Sequence, residues 1–168
     1  MQAVLRVFVF MFSFLYLFFS ASQAQSIKSD LKSLSEKSDI ILEGKVVNKK
    51  SDWNKDKSRI FTAVTVQVDD YLKGNNSNKT IVINTPGGEV DGIGELYTHM
   101  PSFKEDEEVL LFVQEDKRNS NYKVFNGEDG KFTIVKDKKT GEKVTSFNQK
   151  VSSIKSEIKN YIQKKSQQ

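Results

Sequence analysis

From Arg59 to Val68 every second residue is β-branched: Ile60, Thr62, Val64, Val66 and Val68 fall on one side, and Phe61, Ala63, Thr65 and Gln67 on the other. Side chains alternate across a strand but return every 3.6 residues on a helix, so this segment can bury one continuous face only as a strand. The β-branched side is the better core candidate. Similar segments lie on either side of it. Asp39 to Val47 is apolar around Gly44, a glycine of the kind that marks a bulge or tight bend in a strand. Thr80 to Asn84, Glu108 to Val113, Asn121 to Phe125, Lys131 to Val135 and Lys143 to Phe147 complete the set. Asn126-Gly127 and Asp129-Gly130 separate two of these runs with a strong turn signal.

Helical period is confined to the ends of the expected domain. Ile27, Leu31 and Leu34 predict a short helix ending near Ser38, and Val151, Ile154, Ile158, Tyr161 and Ile162 predict a closing helix over about 149–165. Both stripes read as core-facing, as amphipathic helices normally bury their stripe on their own domain. Five to seven short strands with no interior βαβ pattern favour a mainly β fold, a small antiparallel barrel or sandwich with flanking helices.

The N-terminus bears on where such a domain works. Arg6 precedes an uncharged run from Val7 to Phe19 rich in Phe, Val and Leu, short of the roughly 20 apolar residues of a membrane span but suited to a signal-peptide core. Ser22-Gln23-Ala24 supplies small residues for processing after Ala24, so residues 1–24 are expected to be a signal peptide and 25–168 a single exported domain, periplasmic or secreted. The membrane then enters only through the signal peptide. The chain has no cysteine, which excludes a disulfide framework and a cysteine-linked lipid. Its formal charge of +4 is spread among interspersed acids, unlike the concentrated basic face of a nucleic-acid binder.

Between Asn84 and Glu108 lies a segment without evident period. Loops this long with no secondary structure of their own are uncommon in compact domains and are usually functional or disordered. It carries Pro86, Gly87, Gly88, His99, Met100 and Phe103, which together with Trp53 form the candidate partner-binding set. Trp53 sits in the polar stretch Asn48 to Ser58, either as a cap over an open barrel end or as a binding hot spot.

Catalytic readings of this loop are tested by what the chemistry requires. A Ser-His-Asp arrangement would have to draw on His99, Ser102 and Asp91 or Asp106, without a G-x-S-x-G frame. The run Glu105 to Glu108 offers carboxylates, but acid–base catalysis on a glycoside needs two of them facing each other across a cleft. A contiguous acidic run before a strand reads more simply as a solvated turn. Glu89, Asp91 and Glu95 are a weak candidate calcium set, since their spacing is not that of an EF-hand. Gly92-Ile93-Gly94 lacks the Lys-Ser/Thr ending of a phosphate loop. No cofactor is implied.

The order Asp39 to Val47, then Val64 to Val68 leading into Tyr71-Leu72-Lys73-Gly74, resembles the opening of the netrin-like domains of tissue inhibitors of metalloproteinases. That resemblance implies an OB-like barrel. The stretch from Ser38 to Ile134, including Thr85-Pro86-Gly87-Gly88, Pro101-Ser102-Phe103, Val109 to Phe112 and Gly130-Lys131-Phe132, also resembles a group of uncharacterised exported bacterial proteins. In that group a glycine usually precedes the glutamate that opens the strand after the loop; here Asp106 stands there, a residue that tolerates a left-handed backbone better than most. The metalloproteinase inhibitors direct an N-terminal cysteine at zinc, a route closed to this cysteine-free chain. The expectation is a non-enzymatic binding or accessory module acting through the loop 85–107 on a protein or small ligand in the cell envelope or outside the cell. The alternatives are a loop-based inhibitor or accessory of an exported peptidase, a hydrolase using His99 and nearby carboxylates, and a calcium-dependent structural protein.

Overall fold

A computed structural model describes residues 31–74, 77–117, 121–165 and 167. The expected signal peptide and the first turn of the expected N-terminal helix lie outside these residues. Every strand and the closing helix belong to one compact unit, 34–168.

The described elements are helix α1 (31–37), strands β1 (Ile40–Trp53), β2 (Ile60–Lys73), β3 (Thr80–Pro86), β4 (Gly88–Val90), β5 (Ile93–Glu95), β6 (Glu108–Asp116) and β7 (Asn121–Val124), a 3-10 turn (Gly127–Gly130), strands β8 (Lys131–Lys136) and β9 (Lys143–Thr145), and helix α2 (Val151–Lys165). The fold is mainly β with two helices. α1 ends where its apolar period stops: the Ser38 amide and hydroxyl both donate to the Leu34 carbonyl, at 3.2 and 2.6 Å. α2 buries Val151, Ile154 and Ile158, with Tyr161 and Ile162 half-buried beside them.

Seven strands share one sheet, and β4 and β5 form a separate hairpin. β1 pairs with β2 along one edge and with β6 along the other, so the pairings β1, β2, β3, β7 and β6 return to β1. Only the β3–β7 contact, Ile83 opposite Tyr122, is parallel within this cycle. Alternate residues of all five strands meet in one apolar cluster: Leu42 and Val46, Val64 and Val66, Ile81 and Ile83, Val109, Leu111 and Val113, and Val124. The expected core face of β2 is therefore the buried one, with Val68 packed at its margin. β6 is buried on both faces, as its unbroken apolar run suggests. Leu110 and Phe112 point away from the cluster's alternation, and Phe112 meets Phe132 of β8 with ring centroids 5.8 Å apart.

Gly44 makes the double pairing of β1 possible. The β1–β2 register slips between Glu43 and Gly44, and a Cβ on Gly44 would lie 2.3 Å from the Gln67 carbonyl oxygen and 2.9 Å from a Val66 methyl. Beside it, the buried carboxylate of Glu43 accepts from Lys143 of β9 at 2.9 Å and from Lys155 of α2 at 2.7 Å. Lys155 continues to Asp70 of β2 and Lys143 to Glu108 of β6, both at 2.7 Å. This network ties the helix and the last strand to the cycle.

Two expectations need correction. β1 does not stop near Val47 but runs through the polar residues Asn48 to Asp52 to Trp53, held in a ribbon against Ile60 to Thr65. The long loop also has secondary structure of its own, because β3 continues to Pro86 and the hairpin β4–β5 follows. In both segments main-chain pairing makes strands where side-chain period is weak.

Gly44→Ala should cost about 3 kcal/mol of stability through overpacking against main chain that cannot move aside. Chemical denaturation of the two proteins measures this, and equal midpoints would show that β1 does not need its close approach at Gly44.

Candidate functional site

The segment after β3 is held down at both ends. A Cβ on Gly88, at φ +132°, would fall 2.4 Å from both the Ser51 and Thr62 hydroxyl oxygens, so glycine here lets the chain cross close over the β1–β2 ribbon. Thr62 donates to the Gly87 carbonyl at 2.7 Å, and the Ser51 and Thr62 hydroxyls lie 2.9 Å apart. Beyond the hairpin, the Glu95 carboxylate accepts from the Ile60 amide and the Tyr97 hydroxyl, both at 3.1 Å, and Arg59 donates to the Tyr97 oxygen at 2.8 Å. The hairpin is thus clamped to the start of β2.

The approach to β6 is fixed by ion pairs. Asp106 adopts φ +64°, a left-handed conformation that Asp tolerates better than most residues, and its carboxylate lies 2.7 Å from the Lys45 ammonium. Glu107 accepts from Lys131 and Thr133, each at 2.6 Å, and from the Lys104 amide at 3.0 Å. Burial would raise the Glu107 pKa, but these donors outweigh it and hold the group below its ordinary value of 4.5. Glu108 pairs with Lys143. The acidic run begins as the expected solvated turn, with Glu105 and Asp106 exposed, but three of its members serve three different lysines and Glu107 is tuned away from the raised pKa of a general acid.

The candidate residues separate into two groups. Phe103 is 5% exposed within the core cluster, with the Lys131 ammonium 5.1 Å from its ring centroid and its carbonyl accepting from Lys49, so its ring offers little surface to a partner. Gly87 is buried and acts through its main chain. His99 has an exposed side chain whose Nδ1 lies 3.2 Å from Glu128, while its carbonyl accepts from the Glu128 amide at 3.1 Å. The carboxylate beside it is thus neither Asp91 nor Asp106. The calcium set is also not assembled: no group of three or more metal-competent side chains comes together among the described residues, and Glu95 is engaged by Ile60 and Tyr97.

Trp53, Pro86 and Met100 do come together. They line a cleft of about 810 Å³ with Phe61, Tyr122 and Phe125, between the end of the β1–β2 ribbon and β7. Trp53 is positioned by its pairing with Ile60 and by the next turn, in which the Asn54 side-chain oxygen accepts from the Ser58 and Arg59 amides at 2.9 and 3.0 Å. A second cleft of about 630 Å³ runs beneath the hairpin, lined by Ser51, Thr62, Gly88, Tyr97 and Phe103. Thr85, Pro86, Met100 and Pro101 line both. Thr85 is 8% exposed, and its hydroxyl has no hydrogen-bond partner, the one buried side-chain polar atom of this kind among the described residues. The candidate set did not include Thr85, Phe61, Tyr122 or Phe125. Phe61 was legible as the off-core face of β2, but its neighbours on the cleft come from β3 and β7.

Glu107→Gln should cost about 3 kcal/mol at neutral pH, as it leaves the Lys131 ammonium buried without its counterion. With a folded pKa below 4.5, the carboxylate's contribution is complete above that pH and disappears as pH falls through the folded value, so the variant should also lose less stability on acidification. Denaturant titrations between pH 7 and 3 test both statements; parallel pH profiles would refute the assignment. No protein-family model and no curated protein matches this chain.

Proposed function

We propose that this protein is an exported, non-enzymatic binding or accessory module built on an OB-like barrel, and that it receives its ligand in the cleft between Trp53 and Tyr122. The closed cycle of five strand pairings, with a single parallel contact between β3 and β7, supports the barrel, as does a shared interior fed by alternate residues of every strand. The resemblance to netrin-like domains points the same way. Export rests on the apolar run Val7 to Phe19 and the small residues before Gln25.

One observation carries the binding reading. Half-buried Trp53, Phe61 at 40% exposure and Met100 at 41% share a cleft whose wall includes a buried hydroxyl with no partner. Apolar surface beside convergent polar groups is the usual composition of a ligand site, and a buried unsatisfied group calls for an explanation. The depressed Glu107 and the exposed, Glu128-paired His99 favour binding over catalysis. Loop-based inhibition or assistance of an exported peptidase is a second reading, favoured by Ile93 at 54% exposure and Leu96 at 97% on and beside the clamped hairpin.

A thermal-shift screen of small ligands, glycans and peptides tests the proposal, since a ligand at 100 times its Kd stabilises by about 2.7 kcal/mol. A hit is expected to lose its shift in Trp53→Ala, whose own melting temperature should fall by only a few degrees, about 1 kcal/mol for a half-buried residue. A shift that survives both Trp53→Ala and Met100→Asp would place binding elsewhere. A catalytic activity abolished by His99→Ala would overturn the non-enzymatic part.

A further inference from the structure

The lining of the Trp53 cleft has a chemistry of its own. Its aromatic rings come from three places: Trp53 at the ribbon end, Phe61 on β2, and Tyr122 and Phe125 at the two ends of the β7 segment. Asn84, Gln114, Asn121 and Asn126, whose side chains carry amides, line the same cleft, the Asn126 amide donating to Asp129 at 3.2 Å. An amide offers donors and an acceptor together, which matches hydroxyl groups that are themselves both. Aromatic faces carry partial negative charge and attract the weakly positive C–H faces of a saturated ring.

Charge narrows the ligand class. Among the described residues, Lys55 and Lys123 are the cations on the cleft wall and Asp116 offsets one of them, too little for a ligand that must have a phosphate neutralised at every step. Peptide addition to a sheet edge also fits poorly, because it needs a run of free main-chain groups. β3 is paired with β2 from Thr80 to Pro86, its other edge meets β7 at Ile83, and Pro86 has no N–H to give.

We infer that the cleft binds a short neutral oligosaccharide, stacking sugar rings on Trp53 and its aromatic neighbours and presenting a sugar hydroxyl to the Thr85 Oγ1. This rests on reading the cleft as the binding site. Its volume of about 810 Å³ lies within the range of sites that take small ligands. Thr85 gives the inference a second leg. Its hydroxyl lies at the margin of the apolar interior and bonds to nothing around it, while the neighbouring Thr62 hydroxyl is satisfied by Gly87. A buried hydroxyl left unpaired destabilises the fold, and a ligand hydroxyl reaching it would relieve that cost.

Trp53 is the only tryptophan, so its emission reports directly on the cleft. The protein purified from an exporting host would be titrated with chitohexaose, cellohexaose, maltohexaose and xylohexaose, with an oligothymidylate and an unstructured peptide as comparators. At least one hexasaccharide is expected to shift the emission saturably. Calorimetry should then find binding weakened at least tenfold in both Trp53→Ala and Thr85→Val. Thr85→Val should also melt about 3 °C higher than the parent, because valine removes the unsatisfied hydroxyl while keeping its shape. Loss of binding with gained stability separates a ligand contact from a structural one. The inference is overturned if no hexasaccharide shifts the emission, or if either variant binds with undiminished affinity. A response to the peptide or the oligothymidylate alone would overturn the sugar while keeping the cleft as the binding site; a hexasaccharide that binds equally well to both variants would remove the cleft as well.

Discussion

β1 hydrogen-bonds to β6 on one edge from Ile40 to Lys45 and to β2 on the other from Ile41 to Trp53, and where the two pairings overlap its register with β2 slips at Gly44, where the main chain of β2 approaches closely. The other pairings complete the five-strand cycle around this doubly paired strand. Because β1 reaches β6, the alternate residues of β2, β3 and β7 face the same interior as those of β6. Because it also continues along β2, its far end projects as a ribbon that carries Trp53 to the cleft. Glu43, next to Gly44, gathers Lys143 and Lys155 and so fixes β9 and α2 over the outer face. Burial works against its charge, but the two lysines outweigh that penalty and keep the carboxylate pKa low.

The segment from Thr85 to Glu107 divides its residues between frame and surface. Gly87, Gly88, Glu95, Tyr97, Phe103, Asp106 and Glu107 hold the frame by close approach, hydrogen bonds, burial or ion pairing. Met100 and Pro86 are left on the cleft wall, and Ile93 and Leu96 face outward. Most of the polar residues that invite a catalytic reading are thus the ones that fasten the segment down. The groups that make a ligand site are aromatic, amide and hydroxyl groups supplied by strands far apart in sequence.

Legibility followed the strength of local pattern. β2 could be read residue by residue, since one face is wholly β-branched and buried while the other alternates with it. Gly44 could be read as a bulge or tight bend from the residues alone, whereas the left-handed Asp106 was legible only through a resemblance to proteins that usually carry glycine there. The polar half of β1 could not be read as strand: Asn48, Lys49, Lys50 and Asp52 are exposed, and only pairing with β2 makes that segment extended. The burial of Phe103 was not legible for the opposite reason. A phenylalanine beside exposed polar residues looks available, but the tertiary fold turns its ring into the core cluster.

The sequence by itself determined that this chain is mainly β with helices at its margins, that β2 and β6 supply core, and that β1 is irregular at Gly44, because periodicity and main-chain sterics act within a few residues. Only the tertiary structure decided which residues share a cleft and which charges are satisfied. Trp53, Phe61, Pro86, Met100 and Tyr122 meet through strand pairings that span most of the chain, and Glu43 finds Lys143 and Lys155 one hundred or more positions away. Such juxtapositions depend on how the strands close on one another, a long-range property that no local pattern encodes.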